Sequence, residues 1–273
     1  MSDFLRTMAA GSAERAASIR GRFASRDFDL PTAPLNLGTF DVIAEIKESS
    51  PSHGVLAPQQ SAGRADRARQ YVQGGAAAIS VLTEPTRFGG ELSHLREVVA
   101  AVSGSGVPVM RKDFLVHPRQ ILEARAAGAS GVLLIVAILD ERQLAVMVDC
   151  AVEHSLFVLL ECFDEEDLVH ARQLLQNERF AESAMHGQLL VGINTRDLRT
   201  LAVEPKRLAR FAPLLPDRTV AVAESGLRDA KDAAAASSLG YRVALVGTAL
   251  MRQANPAVLI SDMLLAGRAA ALA

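Results

Sequence analysis

The sequence predicts an α/β fold, a single (β/α)8 barrel with an N-terminal helical extension, and three observations lead there. Short runs rich in Val, Ile and Leu recur eight times, at 41–47, 77–82, 108–112, 131–135, 157–161, 189–194, 219–224 and 243–246. Segments of helical period separate them, among them 62–72, 94–102, 119–127, 141–152 and 206–211. Within the runs hydrophobicity is continuous rather than alternating, as expected of parallel strands buried on both faces. At 273 residues the chain has the length of one such barrel, so the expected domain is 1–273, with 1–40 as helical extension and link.

The elements follow in order. Phe4, Leu5, Met8 and Ala9 fall on one face of an N-terminal helix, and Pro31 and Pro34 mark the link that follows. Strand and helical segments then alternate to the end, many closed by Gly or Pro. An open doubly wound sheet would place a GxGxxG loop after its first strand, and none follows residue 47. One stretch interrupts the rhythm: residues 176–188 are long and polar, and are expected to form a helix extension or surface insertion away from the active end.

Composition removes several function classes. With 29 basic and 31 acidic residues the net charge is −2, and no Lys/Arg run forms a nucleic-acid footprint. No apolar run approaches the ~20 residues of a membrane span. Residues 1–22 lack a signal-peptide core, and Asp3 and Glu14 disfavour a transit peptide, so a cytoplasmic protein is expected. Cys150 and Cys162 have neither CxxC spacing nor a placed His, and read as plain thiols with no metal site.

In a barrel of this kind the chemistry sits at the C-terminal ends of the strands. There the sequence places Glu45 and Lys47, Lys112, Glu161, Asn194 and Glu224. Period-two alternation puts Glu45 and Lys47 on one side of the first strand. Any one of these side chains alone is as consistent with a solvent-exposed strand cap. Five ionisable groups ending four strands at one face form the pattern of an acid–base site, since neighbouring carboxylates and ammonium groups shift each other's proton affinity. Ser225-Gly226 and Gly247-Thr248, after the seventh and eighth strands, are small and open to backbone approach, which suits a phosphate. Phe88, Phe114 and Leu133 offer an apolar wall for an aromatic group, with core packing as the competing account for Leu133.

Read in order, these segments resemble the indole-3-glycerol phosphate synthases of tryptophan biosynthesis. The likeness rests on Ala44-Glu45-Ile46-Lys47 with Ser50-Pro51-Ser52, Ser80-Val81-Leu82-Thr83-Glu84-Pro85 with Phe88 and Gly90, and Arg111-Lys112-Asp113-Phe114. It continues through Leu159-Leu160-Glu161, Gly192-Ile193-Asn194-Thr195-Arg196-Asp197-Leu198, Ala223-Glu224-Ser225-Gly226 and Val246-Gly247-Thr248-Ala249-Leu250-Met251. Each is short, but seven in order, each at a strand end, run from about residue 40 to the end.

The resemblance implies a TIM barrel that closes the indole ring of carboxyphenylamino-deoxyribulose phosphate with loss of carbon dioxide and water. It implies no metal or organic cofactor, and a phosphorylated small molecule is the only partner expected of what reads as a monomer. By position, Lys112 resembles the general acid and Glu161 a base. Lys47 resembles an assisting acid, Glu45 and Glu224 groups that position the lysines, and Asn194 a substrate hydrogen-bonding residue. Ser225, Gly226, Gly247 and Thr248 would take the phosphate, Ser50 would contact substrate from the loop, and Arg196 would orient the carboxylate.

The chain departs from the family where a basic residue often follows the first lysine and recurs near the end of that loop: Glu48 and His53 stand here, and a weaker local positive field is expected. Two alternatives stay open, a paralogue making another indole product and a non-catalytic barrel partner. The neighbouring phosphoribosylanthranilate isomerase barrel, which works with a thiol and a carboxylate, is disfavoured because no Cys ends the first strand.

Overall fold

The computed structural model describes residues 2–50, 54–55, 63–196, 202–204 and 206–272. All eight expected strands are present: β1 (Asp41–Ile46), β2 (Ala78–Leu82), β3 (Val109–Lys112), β4 (Gly131–Ile135), β5 (Phe157–Cys162), β6 (Leu189–Asn194), β7 (Val220–Glu224) and β8 (Val243–Val246). Each pairs in parallel with its sequence neighbours, and β8 returns to β1 through Asp41–Val243 to Ala44–Val246, so the sheet closes and has no edge. A parallel sheet needs a crossover between successive strands, and the helices supply it.

The helices are α1 (Asp3–Ser18), α2 (Arg64–Gln73), α3 (Pro85–Phe88), α4 (Leu92–Ala101), α5 (Pro118–Ala126), α6 (Glu141–Glu153), α7 (Glu165–Leu174), α8 (Glu178–Met185), α9 (Lys206–Phe211), α10 (Ala230–Ser238), α11 (Thr248–Met251) and α12 (Pro256–Ala270). Their starts are written in the sequence. Asp140, Asp164, Asn177 and Asp229 each accept a hydrogen bond from a first-turn backbone N–H, and Pro85, Pro118 and Pro256 stand just inside a helix start. The polar stretch 176–188 contains α8, which buries Phe180 and Ala184.

Two apolar layers hold the barrel. Val42, Ala44, Val132, Leu134, Val158, Leu160, Val191 and Ala223 pack outward against the helices, with Tyr71, Leu95, Ile121, Met147 and Leu168 facing them. Ile43, Met110, Leu133, Leu159, Leu190, Val222 and Leu245 pack inward against one another. Because successive side chains of a strand point to opposite faces, the inward column of each strand runs directly into the site. Ile43 is followed two residues on by Glu45, Met110 by Lys112, Leu159 by Glu161, and Val222 by Glu224. Burial and chemistry thus share one register.

Helix α1 lies against the barrel. Leu5 and Met8 are buried beside Phe114, Leu133 and Phe163, and Arg15 reaches Asp113 at the end of β3. A two-stranded hairpin, Ser49–Ser50 with Gly54–Val55, follows β1.

Candidate active site

At the C-terminal mouth of the barrel lies a cavity of about 700 Å³. Its lining includes Glu45, Lys47, Lys112, Glu161, Asn194 and Glu224, and with them Phe88, Phe114, Leu133, Arg196, Ser225, Gly226, Gly247 and Thr248. Of the site residues expected from sequence, Ser50 alone is not placed: its side chain lies outside the described residues, as does His53.

Lys112 is the hub. Its Nζ donates to Glu161 Oε2 at 2.8 Å and stands 3.6 Å from Glu224 Oε2, with both carboxylates at most 2 % exposed. Burial works against the ammonium, but Glu161, Glu224 and Glu45 together outweigh it and raise the Lys112 pKa above the ordinary lysine value. Lys112 is therefore a fixed cation. An ammonium so held gives up its proton only to a stronger base, such as an oxygen becoming an alkoxide.

Glu45 and Lys47 form an ion pair across the end of β1. Burial alone would raise the Glu45 carboxyl, yet Lys47 and Lys112 hold it below its usual range, so it is ionised. Tyr71 of α2 donates to the Glu45 carbonyl at 3.2 Å, fixing the strand end from outside the barrel. Gly247 makes room on the inside, since a Cβ there would overlap the Glu45 carboxylate and come within 2.8 Å of Lys47 Nζ.

Glu224 differs from the other two carboxylates. Neither of its oxygens has a hydrogen bond of good geometry, Lys112 at 3.6 Å being an ion-pair contact. Burial, and then the neighbouring Glu161, push its pKa well above the usual carboxylate range despite Lys112. Glu224 is therefore the carboxyl of this site that its surroundings push toward the neutral form. Gly192 of β6 clears space for it, because a Cβ at that position would collide with the carboxylate.

Asn194 ends β6 and donates from Nδ2 to Glu161 Oε2 at 3.2 Å, while its Oδ1 accepts from the Arg196 backbone N–H at 2.9 Å. Arg196 lines the same cavity. Just past β7, Ser225 and Gly226 both adopt left-handed backbone, φ 65° and 78°. For Ser225 this is a costly conformation, held by Thr195 Oγ1 donating to its carbonyl at 3.0 Å. The aromatic wall is built by Phe88, on α3 rather than in an open loop, and Phe114, with ring centroids 6.2 Å apart.

Several residues of the site were not among those singled out in the sequence. Phe4 of α1 meets Phe114 edge-on at 6.0 Å and lines the cavity, a position for which the amphipathic face of α1 was the only signal. Asp113 is fully buried and is bound by Arg15 (2.7 Å), Thr83 (2.8 Å), Arg111 (3.1 Å) and the Phe114 N–H (2.8 Å). Arg228 and Arg252 border the cavity and are exposed. Among the described residues no group of three or more His, Cys, Asp or Glu side chains is placed to hold a metal ion.

A closed (β/α)8 barrel carrying lysines and carboxylates at its C-terminal mouth, beside a small-residue cradle, defines a barrel enzyme of acid–base chemistry. Residues 35–263 match the family model of indole-3-glycerol phosphate synthase. The indole-3-glycerol phosphate synthase of a Nocardioides species is 45% identical over 248 residues, covering 90% of this chain and 88% of its own. Those of a Parafrankia species and of Mycolicibacterium vanbaalenii are each 42% identical over 235 residues, covering 86% of this chain and 81% and 80% of theirs. The chain belongs to the indole-3-glycerol phosphate synthase family, carboxy-lyases of tryptophan biosynthesis. Among solved structures, 3-hexulose-6-phosphate synthase from Salmonella typhimurium aligns with TM-score 0.63 at 13% identity, covering 84% of this chain and 99% of its own. Phosphoribosylanthranilate isomerase from Thermotoga maritima aligns with TM-score 0.55 at 11% identity, covering 84% and 99%. At those identities the likeness is one of fold.

Proposed function

We propose that this chain, as one barrel domain with residues 1–40 as its extension, converts carboxyphenylamino-deoxyribulose phosphate to indole-3-glycerol phosphate, with Lys112 as the general acid. The observation that carries the reading is the placement of the Lys112 ammonium between Glu161 and Glu224, in a cavity with aromatic side chains and a glycine-rich cradle on its walls.

The phosphate binds at Ser225, Gly226, Gly247 and Thr248, and the anthranilate ring stacks among Phe88, Phe114 and Leu133. Arg196 orients the ring carboxylate, Ser50 adds a loop contact, and Asn194 hydrogen-bonds the substrate. Both ends being fixed, the ring carbon bearing the carboxylate faces the sugar carbonyl in attack geometry. As the new carbon–carbon bond forms, charge develops on the carbonyl oxygen, and Lys112 stabilises it and delivers a proton. Loss of carbon dioxide breaks the carboxylate bond and returns electrons to the ring. In the dehydration Lys47 assists departure of the hydroxyl as water, and Glu161 accepts the proton whose loss restores the aromatic indole. Glu45 and Glu224 keep the two lysines in place.

The setting we propose is cytoplasmic and monomeric, with a small phosphorylated substrate and no nucleic-acid or membrane partner. Near-balanced charge without a basic run supports the absence of a nucleic-acid partner, and no described helix is long and apolar enough to cross a membrane.

The test is incubation of purified protein with the carboxyphenylamino-deoxyribulose phosphate, followed by indole fluorescence and product mass. Wild type is expected to release indole-3-glycerol phosphate, and Lys112→Ala to lose about 10²–10⁴-fold in kcat. A folded wild type that gives no product overturns the assignment. Another indole product places the chain with a paralogous activity.

A further inference from the structure

Glu48 is an unexpected neighbour for a lysine that handles an anionic substrate. Alternation past the end of β1 sends Lys47 inward to Glu45 and the cavity, and Glu48 to the other side, off the cavity lining. There Glu48 Oε1 accepts from Arg64 Nη1, and the Nε of the same guanidinium donates to Glu97 Oε2 of α4 at 2.8 Å. Arg64 opens α2, where the chain returns from the loop that Glu48 begins. One ion pair therefore joins both ends of that loop, and Glu97 fastens it to the next helix.

We propose that Glu48 is a positioning residue for Lys47, closing the base of the loop after β1 through Arg64 so that the Lys47 ammonium stays turned into the cavity. The three side chains are between 31% and 39% exposed, so the pair adds little to global stability. Its effect is local, on the backbone one residue from Lys47. The inference rests on the reading that Lys47 works in the reaction, and the experiment separates the two.

Positioning and simple charge make opposite forecasts. If Glu48 acted only through its charge, Glu48→Ala would strengthen binding of the anionic substrate and Arg64→Ala would weaken it. Under the proposal both variants lose kcat roughly tenfold, the double variant loses no more than either, and thermal stability is unchanged. In a Lys47→Ala background, Glu48→Ala then costs nothing further. Glu48→Gln, which keeps shape and a hydrogen bond, falls between wild type and Glu48→Ala.

Opposite signs for the two single variants overturn the proposal. An undiminished effect of Glu48→Ala without Lys47 overturns it too, while leaving the site reading intact. Wild-type turnover by Lys47→Ala overturns the role of Lys47 and the positioning role with it.

Discussion

Glu224 shows how the site sets one residue against the stability of the protein. Its folded pKa lies above that of an unfolded carboxyl, so between the two values the folded state holds more protons and stability falls as pH rises. At neutral pH the protein carries the cost of a buried carboxyl without a well-made hydrogen bond. Glu224→Gln should therefore raise the melting temperature by a few degrees at pH 7, corresponding to about 1 kcal/mol, and flatten the decline toward alkaline pH while lowering kcat. Thermal melts of both forms across pH 4–9 decide it; parallel curves would show that Glu224 does not titrate as described. At this scale most of the site was legible, because strand ends and alternation together say which side chains reach the mouth. Phe4 and Arg15 were not legible as partners of Phe114 and Asp113, since those contacts join positions about a hundred residues apart in the chain. Gly192 and Gly247 look like ordinary strand glycines until the carboxylates that occupy their missing Cβ space are seen.

At the scale of elements, α1 is held by packing, by Gln120 donating to Ser12, and by a salt link. Arg15 binds Asp113 at 2.7 Å and lies 3.8 Å from Glu84, and both carboxylates are completely buried. Asp113 keeps Arg111, Thr83 and the Phe114 N–H when Arg15 is lost, whereas Glu84 keeps only the first-turn donors of α3. Arg15→Ala should accordingly cost about 2 kcal/mol in denaturant unfolding, below the full penalty of a severed buried pair. It should also raise KM, because Asp113 sits between Lys112 and Phe114 at the substrate end of β3. An unchanged KM would mean that α1 serves stability alone. Strands were the easier elements to read, their apolar runs being bounded by Gly and Pro, and no observed end differs from expectation by more than one residue; β5 runs one further, to Cys162, which pairs with Ile193. β1 closes at Ile46, so Lys47 stands just beyond the sheet. Among the helices, α8 was expected only as a helix extension or a surface insertion within a polar stretch. It is a separate short helix, with Phe180, Ala181, Ala184 and Met185 at helical spacing and Phe180 and Ala184 buried.

For the whole molecule, what counts is where its charge lies. The net charge is −2, which would repel a dianionic sugar phosphate if spread evenly. The cavity gathers cations. Lys47, Lys112, Arg196, Arg228 and Arg252 line it beside Glu45, Asp113, Glu161, Glu224 and Asp232, and of these carboxylates Asp113 is already paired with Arg15 and Arg111 from outside the lining, while Glu224 is pushed toward its neutral form. A low-dielectric barrel mouth focuses such a field outward, so attraction is strongest along the axis of entry. Raising the ionic strength from about 0.01 M to 1 M shortens the screening length from ~30 Å to ~3 Å and should lower kcat/KM by roughly threefold or more. Turnover at saturation should not move, since Lys112 and its carboxylates are buried from the ions. Steady-state kinetics across a salt series, with viscosity held constant, measure both. Arg252→Ala should flatten the slope of kcat/KM against salt without touching kcat, because Arg252 borders the cavity and no ion pair to it is seen among the described residues. A kcat that falls in step with kcat/KM would mean that salt reaches the Lys112–Glu161 pair itself, and that the mouth is more open to solvent than the burial of these groups implies.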